Sequence, residues 1–175
     1  MRFIPTELGS ACIVEPEPHK DERGLFARTY CAREFRDHGL ADVFVQCNTS
    51  WNARKGTIRG LHYQLPPSNE VKLVRCTAGS LWDVIVDLRP DSPTYLKHVG
   101  VELTADNRRA LYVPAMFAHG FQTLEDDTEV FYQMSEFYAP HSARGLRHDD
   151  PRLGIRWPLA VASVSANDQA WELLQ

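Results

Sequence analysis

Ser80-Leu81-Trp82-Asp83-Val84-Ile85-Val86-Asp87-Leu88 is the clearest strand in the chain. Successive side chains of an extended segment face opposite ways. Trp82, Val84, Val86 and Leu88 therefore share one side, and Leu81, Asp83, Ile85 and Asp87 share the other. The second side mixes apolar residues with carboxylates. It reads either as a solvent-facing side or as the wall of a wet cavity in which Asp83 orients another group. Arg89-Pro90-Asp91-Ser92-Pro93 then forms a turn.

On the C-terminal side, strands are expected at 99–103 and 110–113, either side of a turn at Asp106-Asn107. Pro114 to Phe121 is an apolar stretch interrupted by His119 and Gly120. Residues 128–138 read as one long strand with Val130, Tyr132, Met134, Glu136 and Tyr138 on one side. The rise per residue would separate the two tyrosines by roughly 20 Å, so together they could line one extended ligand. On the N-terminal side, strands are expected at 71–76, 43–47 and 25–30, and a short helix at 32–38 stopped by Gly39. Residues 1–14 read as an edge segment. After Ala139 the chain is loop-rich, with a short terminal helix capped by Ser165 or Asp168. Many short strands punctuated by Gly and Pro imply a sandwich or barrel. No repeat, linker or low-complexity tract divides the chain, so a single domain over 1–175 is expected.

The 175 residues are enough for one real core, and a hydrophobic share of 43% is ordinary for a globular protein. A formal net charge of −4 argues against a general nucleic-acid binder. No apolar run is long enough to span a membrane, and the N-terminus lacks a signal-peptide core. None of Cys12, Cys31, Cys47 and Cys76 falls in a C-x-x-C pair, so reduced thiols in a cytoplasmic protein are expected.

The chemistry concentrates in Arg59-Gly60-Leu61-His62-Tyr63-Gln64. Arg59 can grip an anion with two parallel hydrogen bonds, and His62 can take a proton near neutral pH. Gly60 lets the backbone turn or approach a ligand. An anion clamp beside a base suggests work on a phosphate-bearing substrate. A metal-binding cupin needs His-x-His, a glutamate and a later histidine; here Glu70 and His119 survive, but Gln64 stands at one ligand position. No metal or other cofactor is therefore expected. There is no G-x-S-x-G elbow for a serine nucleophile.

Several stretches together resemble the dTDP-4-dehydrorhamnose 3,5-epimerase family. They are Arg59 to Gln64, Lys72-Leu73-Val74-Arg75, Asp83 to Arg89, Ser92-Pro93-Thr94, Phe117-Ala118-His119-Gly120-Phe121 and Trp157-Pro158. The resemblance runs from about Asp21 to Asp168. It implies an all-β, double-stranded β-helix (cupin-like jelly roll) with a few short helices, dimeric and metal-independent. It also implies a nucleotide-diphosphate 4-keto-6-deoxy sugar as substrate, inverted beside its ketone. By resemblance, His62 is the base and Asp168 orients it. Lys72 stabilises the oxyanion, and Tyr132 returns the proton from the other side. Arg23 and Arg59 resemble the pyrophosphate and sugar contacts, and Gln46 and Asn48 polar ligand contacts. Phe26 and Tyr138 resemble the pair that sandwiches the nucleotide base. His119, with Asp83 behind it, resembles a sugar-contacting pair.

Four positions depart from the family pattern. Arg28 stands where a glutamate commonly contacts thymine, which makes another nucleotide, such as guanosine or cytidine, plausible. Gln133 replaces a frequent lysine. Met116 replaces a frequent glycine, with a change of pocket shape expected. Asn167 replaces a frequent basic residue, weakening one phosphate contact. Two other readings remain: a sugar-nucleotide binding protein without catalysis, and a metal-dependent cupin oxygenase.

Overall fold

The computed structural model describes all residues from Met1 to Gln175. In chain order the strands are β1 (Arg2–Pro5), β2 (Cys12–Glu15), β3 (His19–Asp21), β4 (Gly24–Phe26), then helix α1 (Ala32–Asp37), β5 (Gln46–Asn52), β6 (Thr57–Gln64), β7 (Lys72–Ala78), β8 (Ser80–Asp87), β9 (His98–Thr104), β10 (Ala110–Val113), β11 (Phe117–Thr123), β12 (Thr128–Met134), β13 (Ala143–Gly145), β14 (Ser163–Val164) and helix α2 (Ala166–Gln169). One sheet runs β1-β2-β10-β7-β12-β5; the other runs β13-β6-β11-β8-β9, with β14 parallel to β6. From β5 to β13 the chain changes sheet at every connection except β8 to β9. That coiling makes the all-β fold a double-stranded β-helix, the jelly roll expected from the sequence. Strands β3 and β4 form a separate hairpin.

Both sides of β8 are buried. Leu81 and Ile85 join Val74, Cys76, Leu111 and Val130 in the core between the sheets. Val84, Val86 and Leu88 join Leu61, Ala118 and Leu153 in a second core. The alternation was read correctly, but the side that carries the carboxylates does not meet solvent: Asp83 and Asp87 are fully buried. Asp87 accepts from Arg89 Nε at 2.8 Å, Ser92 Oγ at 2.5 Å and Thr94 Oγ1 at 2.6 Å. Burial works to raise its carboxyl, yet these donors outweigh it and hold the group well below the usual carboxylate range.

Three of the expected strands are cut back at one end by packing. The 25–30 strand stops at Phe26, because the following residues strap α1: the Tyr30 ring lies 5.0 Å from Phe35. The 43–47 strand starts only at Gln46, since Phe44 packs on Tyr30 and Phe35. The 128–138 strand stops at Met134, where Ser135 clasps Val71. Ser135 N donates to Val71 O at 3.0 Å, and Val71 N donates to Ser135 Oγ at 2.9 Å. Tyr138 therefore lies beyond the strand, and a spacing from strand rise does not apply. All four cysteines are free. Burial pushes the Cys12 and Cys76 thiols up to about 11.

Candidate active site

A cavity of about 750 Å³ opens between the sheets. Gln46, Asn48, Lys72, Tyr132 and Met134 line it from the first sheet. Arg59, His62, Gln64, His119 and Phe121 line it from the second. Tyr138, Arg144 and the segment carrying Ser165, Asn167, Asp168 and Trp171 complete the wall.

Two glycines let the second sheet hold its histidines close. Gly60 has φ +110°, and a Cβ there would lie 2.6 Å from Gly120 Cα. Only a residue without a side chain fits that crossing. His62 and His119 stand opposite each other in the β6–β11 register. The His62 ring is 49% exposed, and its Nε2 is 2.6 Å from Asp168 Oδ1. Asp168 is buried; its Oδ2 accepts from Gly60 N at 3.3 Å. Ser165 caps α2 by accepting from Asp168 N at 3.0 Å. Burial works to raise the Asp168 carboxyl, but the bonds to His62, Gly60 N and Ser165 prevail and leave it below its ordinary value. A buried carboxylate thus braces one nitrogen of a half-exposed imidazole.

The second histidine is also braced: His119 Nε2 lies 2.7 Å from Asp83 Oδ1, away from solvent. Lys72 Nζ lies 2.9 Å from Glu70 and 3.3 Å from His62 O. Arg59 Nε donates to Asn52 Oδ1 at 2.7 Å, which fixes its guanidinium at the cavity. Gln64 Oε1 accepts from Ala139 N at 2.9 Å, and Gln46 Oε1 from Tyr138 N at 3.4 Å. Of the residues weighed as cupin metal ligands, Glu70 is paired with Lys72, and His62 and His119 with aspartates. No group of three or more His, Cys, Asp and Glu side chains converges as a metal-ligand set.

The family model for dTDP-4-dehydrorhamnose 3,5-epimerase matches residues 5–175. The chain belongs to that epimerase family. A relative of that name from Methanothermobacter thermautotrophicus is 44% identical over 177 residues, spanning 99% of this chain and 95% of the relative. The crystal structure of the Bacillus anthracis dTDP-4-dehydrorhamnose 3,5-epimerase, with TDP and PPi bound, superposes with a TM-score of 0.95 at 41% identity and covers 99% of both chains. The Legionella pneumophila dTDP-6-deoxy-D-glucose-3,5-epimerase, in complex with dTDP-4-keto-L-rhamnose, superposes with a TM-score of 0.92 at 38% identity, covering 98% of this chain and 92% of that one. The protein is accordingly an isomerase.

In this epimerase, nine of the eleven residues singled out from the sequence line one cavity; Arg23 and Phe26 do not. Both belong to the β3–β4 hairpin region, where Arg23 pairs with Asp21 and Phe26 is 73% exposed. Met116 is likewise absent from the cavity wall, so the expected change of pocket shape does not arise from it. It adopts φ +61°, a conformation that suits the glycine it replaces. Asn167 does line the cavity, whereas Gln133, on the alternate side of β12 from Tyr132, does not. Arg144 and Trp171 were missed. Both stand in irregular or very short elements, where no periodicity marks a side chain as inward. Glu70 was weighed only as a metal ligand, although its spacing from Lys72 puts both on one side of an extended chain.

Proposed function

We propose that this epimerase inverts a nucleotide-diphosphate 4-keto-6-deoxy sugar at C3, C5 or both, for deoxysugar and polysaccharide biosynthesis. A C–H beside a ketone is a weak acid and needs a positioned base. His62 takes that proton, and Asp168 orients the ring and stabilises its imidazolium form. The C–H electron pair moves into the carbon skeleton, and negative charge collects on the C4 oxygen. The Lys72 ammonium stabilises this enolate. Tyr132 then delivers its hydroxyl proton to the same carbon from the opposite sheet, and the ketone re-forms with the centre inverted. The imidazolium releases one proton to solvent and the phenolate takes one up, so the cycle balances.

The observation that carries this reading is a carboxylate-braced imidazole and a phenol lining one cavity from two different sheets. Arg59 is suited to the diphosphate, and Gln46 and Asn48 to polar groups of the ligand. Tyr138 is suited to stacking on the base, and His119, braced by Asp83, to the sugar. Thymidine is the nucleotide we favour. The dTDP enzymes named above support it, and Arg28, whose charge counted against thymine, has Glu34 3.3 Å from its guanidinium.

We read the active form as a cytoplasmic homodimer of single-domain subunits. Its partners include neither nucleic acid nor membrane, and it uses no cofactor. In that dimer the hairpin of one copy supplies Arg23 and Phe26 to the cavity of the other. The exposed Phe26, outside its own chain's cavity, supports this arrangement.

The test is incubation in heavy water with nucleotide-linked 4-keto-6-deoxy sugars carrying thymidine, guanosine or cytidine, followed by NMR. Deuterium should enter C3, C5 or both, fastest with thymidine. Binding without any exchange would instead assign the cavity to a sugar-nucleotide binding protein.

A further inference from the structure

We infer that Glu70 is a positioning residue for the oxyanion-stabilising cation: its carboxylate fixes Lys72 so that one ammonium N–H is left for the C4 oxygen of the sugar. The inference rests on the role proposed for Lys72.

Glu70 and Lys72 stand two residues apart at the entry to β7, and their side chains meet on the same side of the chain. Both line the cavity. The carboxylate oxygen is 2.9 Å from Nζ, and the two side chains are only 9% and 11% exposed. A charge pair so far out of water is costly to assemble and is weak evidence for stability. Its value must then be sought in what it orients.

Both stems are fixed. Val71, between them, is clasped by Ser135 through two hydrogen bonds. Lys72 is paired with Met134 on one side and Val113 on the other. Flexibility remains only in the lysine side chain, which has four rotatable carbons and three donors. Glu70 occupies one donor and His62 O a second, at 3.3 Å. The third is the one that can meet an oxyanion. The second bond also ties the ammonium to the backbone of the proposed base. The site that receives the charge is thereby held in register with the group that releases it.

The carboxylate also screens part of the lysine's field, which acts against catalysis. Geometry outweighs this, because a misplacement of about 1 Å in a catalytic group costs on the order of 100-fold in rate. Removing Glu70 frees the ammonium charge but leaves it to search among rotamers.

The experiment is a double-mutant cycle on the full-length protein, read as the rate of deuterium entry from solvent into the keto sugar. Glu70→Ala should lower kcat about 10- to 100-fold with KM within about threefold. Glu70→Gln keeps the shape and one acceptor, and should recover part of the loss. In a Lys72→Ala background, Glu70→Ala should have no further effect, since nothing remains to be positioned. A wild-type rate in both Glu70 variants, with Lys72→Ala slow, overturns this inference alone. So does a Glu70→Ala loss of equal size with and without Lys72. A wild-type rate in Lys72→Ala overturns the role of Lys72 and this inference with it.

Discussion

At the scale of single residues, the site depends on how carboxylates are shared out. Asp168 braces His62, Asp83 braces His119, and Glu70 holds Lys72. We expect His62→Ala to abolish solvent exchange, since the sugar C–H is then left without its base. Tyr132→Phe should still wash deuterium into the substrate but fail to invert it; NMR separates label entry from inversion. Asp87 and Asp168 bear on stability. Both carboxyls lie below their unfolded value, near 4, so the folded state gains from their ionisation above that pH. That gain shrinks as pH falls below about 4 and protons reach the unfolded chain first. Urea midpoints should therefore decline steeply on the acid side, and Asp87→Asn should flatten the decline. Asp87→Ala, which strands Arg89, Ser92 and Thr94 around an empty position, should cost about 3 kcal/mol at neutral pH. Met116 sits at φ +61°, so Met116→Gly should change stability by less than about 1 kcal/mol and leave KM as it is.

At the scale of elements, the fold could be read where the signal is local. The alternation over Ser80 to Leu88 is a property of nine consecutive residues, and it sorted the side chains into two sides; that the carboxylate side is buried as well depends on strands distant in sequence. The end of β12 could not be read this way. It is set by the clasp of Ser135 on Val71, 64 residues distant in sequence. The start of β5 is set by aromatic packing on α1, again a tertiary matter. The site divides similarly. Arg59, Gly60 and His62 announce an anion clamp and base within a few residues. Asp168 lies 106 residues from His62, and only resemblance to a family joined them. The carboxylate of Asp83 was visible, but nothing local named His119, 36 residues away, as its partner; Glu70 stands only two residues from Lys72, and there the spacing itself pointed to the pair. Gly60 and Gly120 carry the element-scale prediction. Because β6 and β11 touch there through backbone, Gly60→Ala should lower thermal stability and slow exchange together, by displacing His62 relative to His119.

At the scale of the whole molecule, two sheets share one core while several apolar side chains face outward. Trp51 lies on β5, the outermost strand of its sheet, with Val43 and Val45 exposed just before it; Phe26 is exposed on the hairpin. Open sheet edges with apolar side chains invite pairing with another chain. Sedimentation should give twice the chain mass. Trp51→Glu should shift the protein toward monomer and raise KM, because the hairpin of a second copy is no longer at hand. Phe26→Ala should raise KM about tenfold while the dimer persists, as expected for loss of one stacking face. Those two variants separate assembly from ligand contact.

The cap of α2 by Ser165 has one more consequence, in the order of synthesis. Every strand from β1 to β13 precedes the carboxylate that braces the imidazole. A ribosome thus releases both sheets before it releases competence. A chain nicked after Ala162 should retain its β-sheet circular dichroism yet fail to turn over substrate, a well-formed molecule that passes inspection by shape alone and is chemically silent.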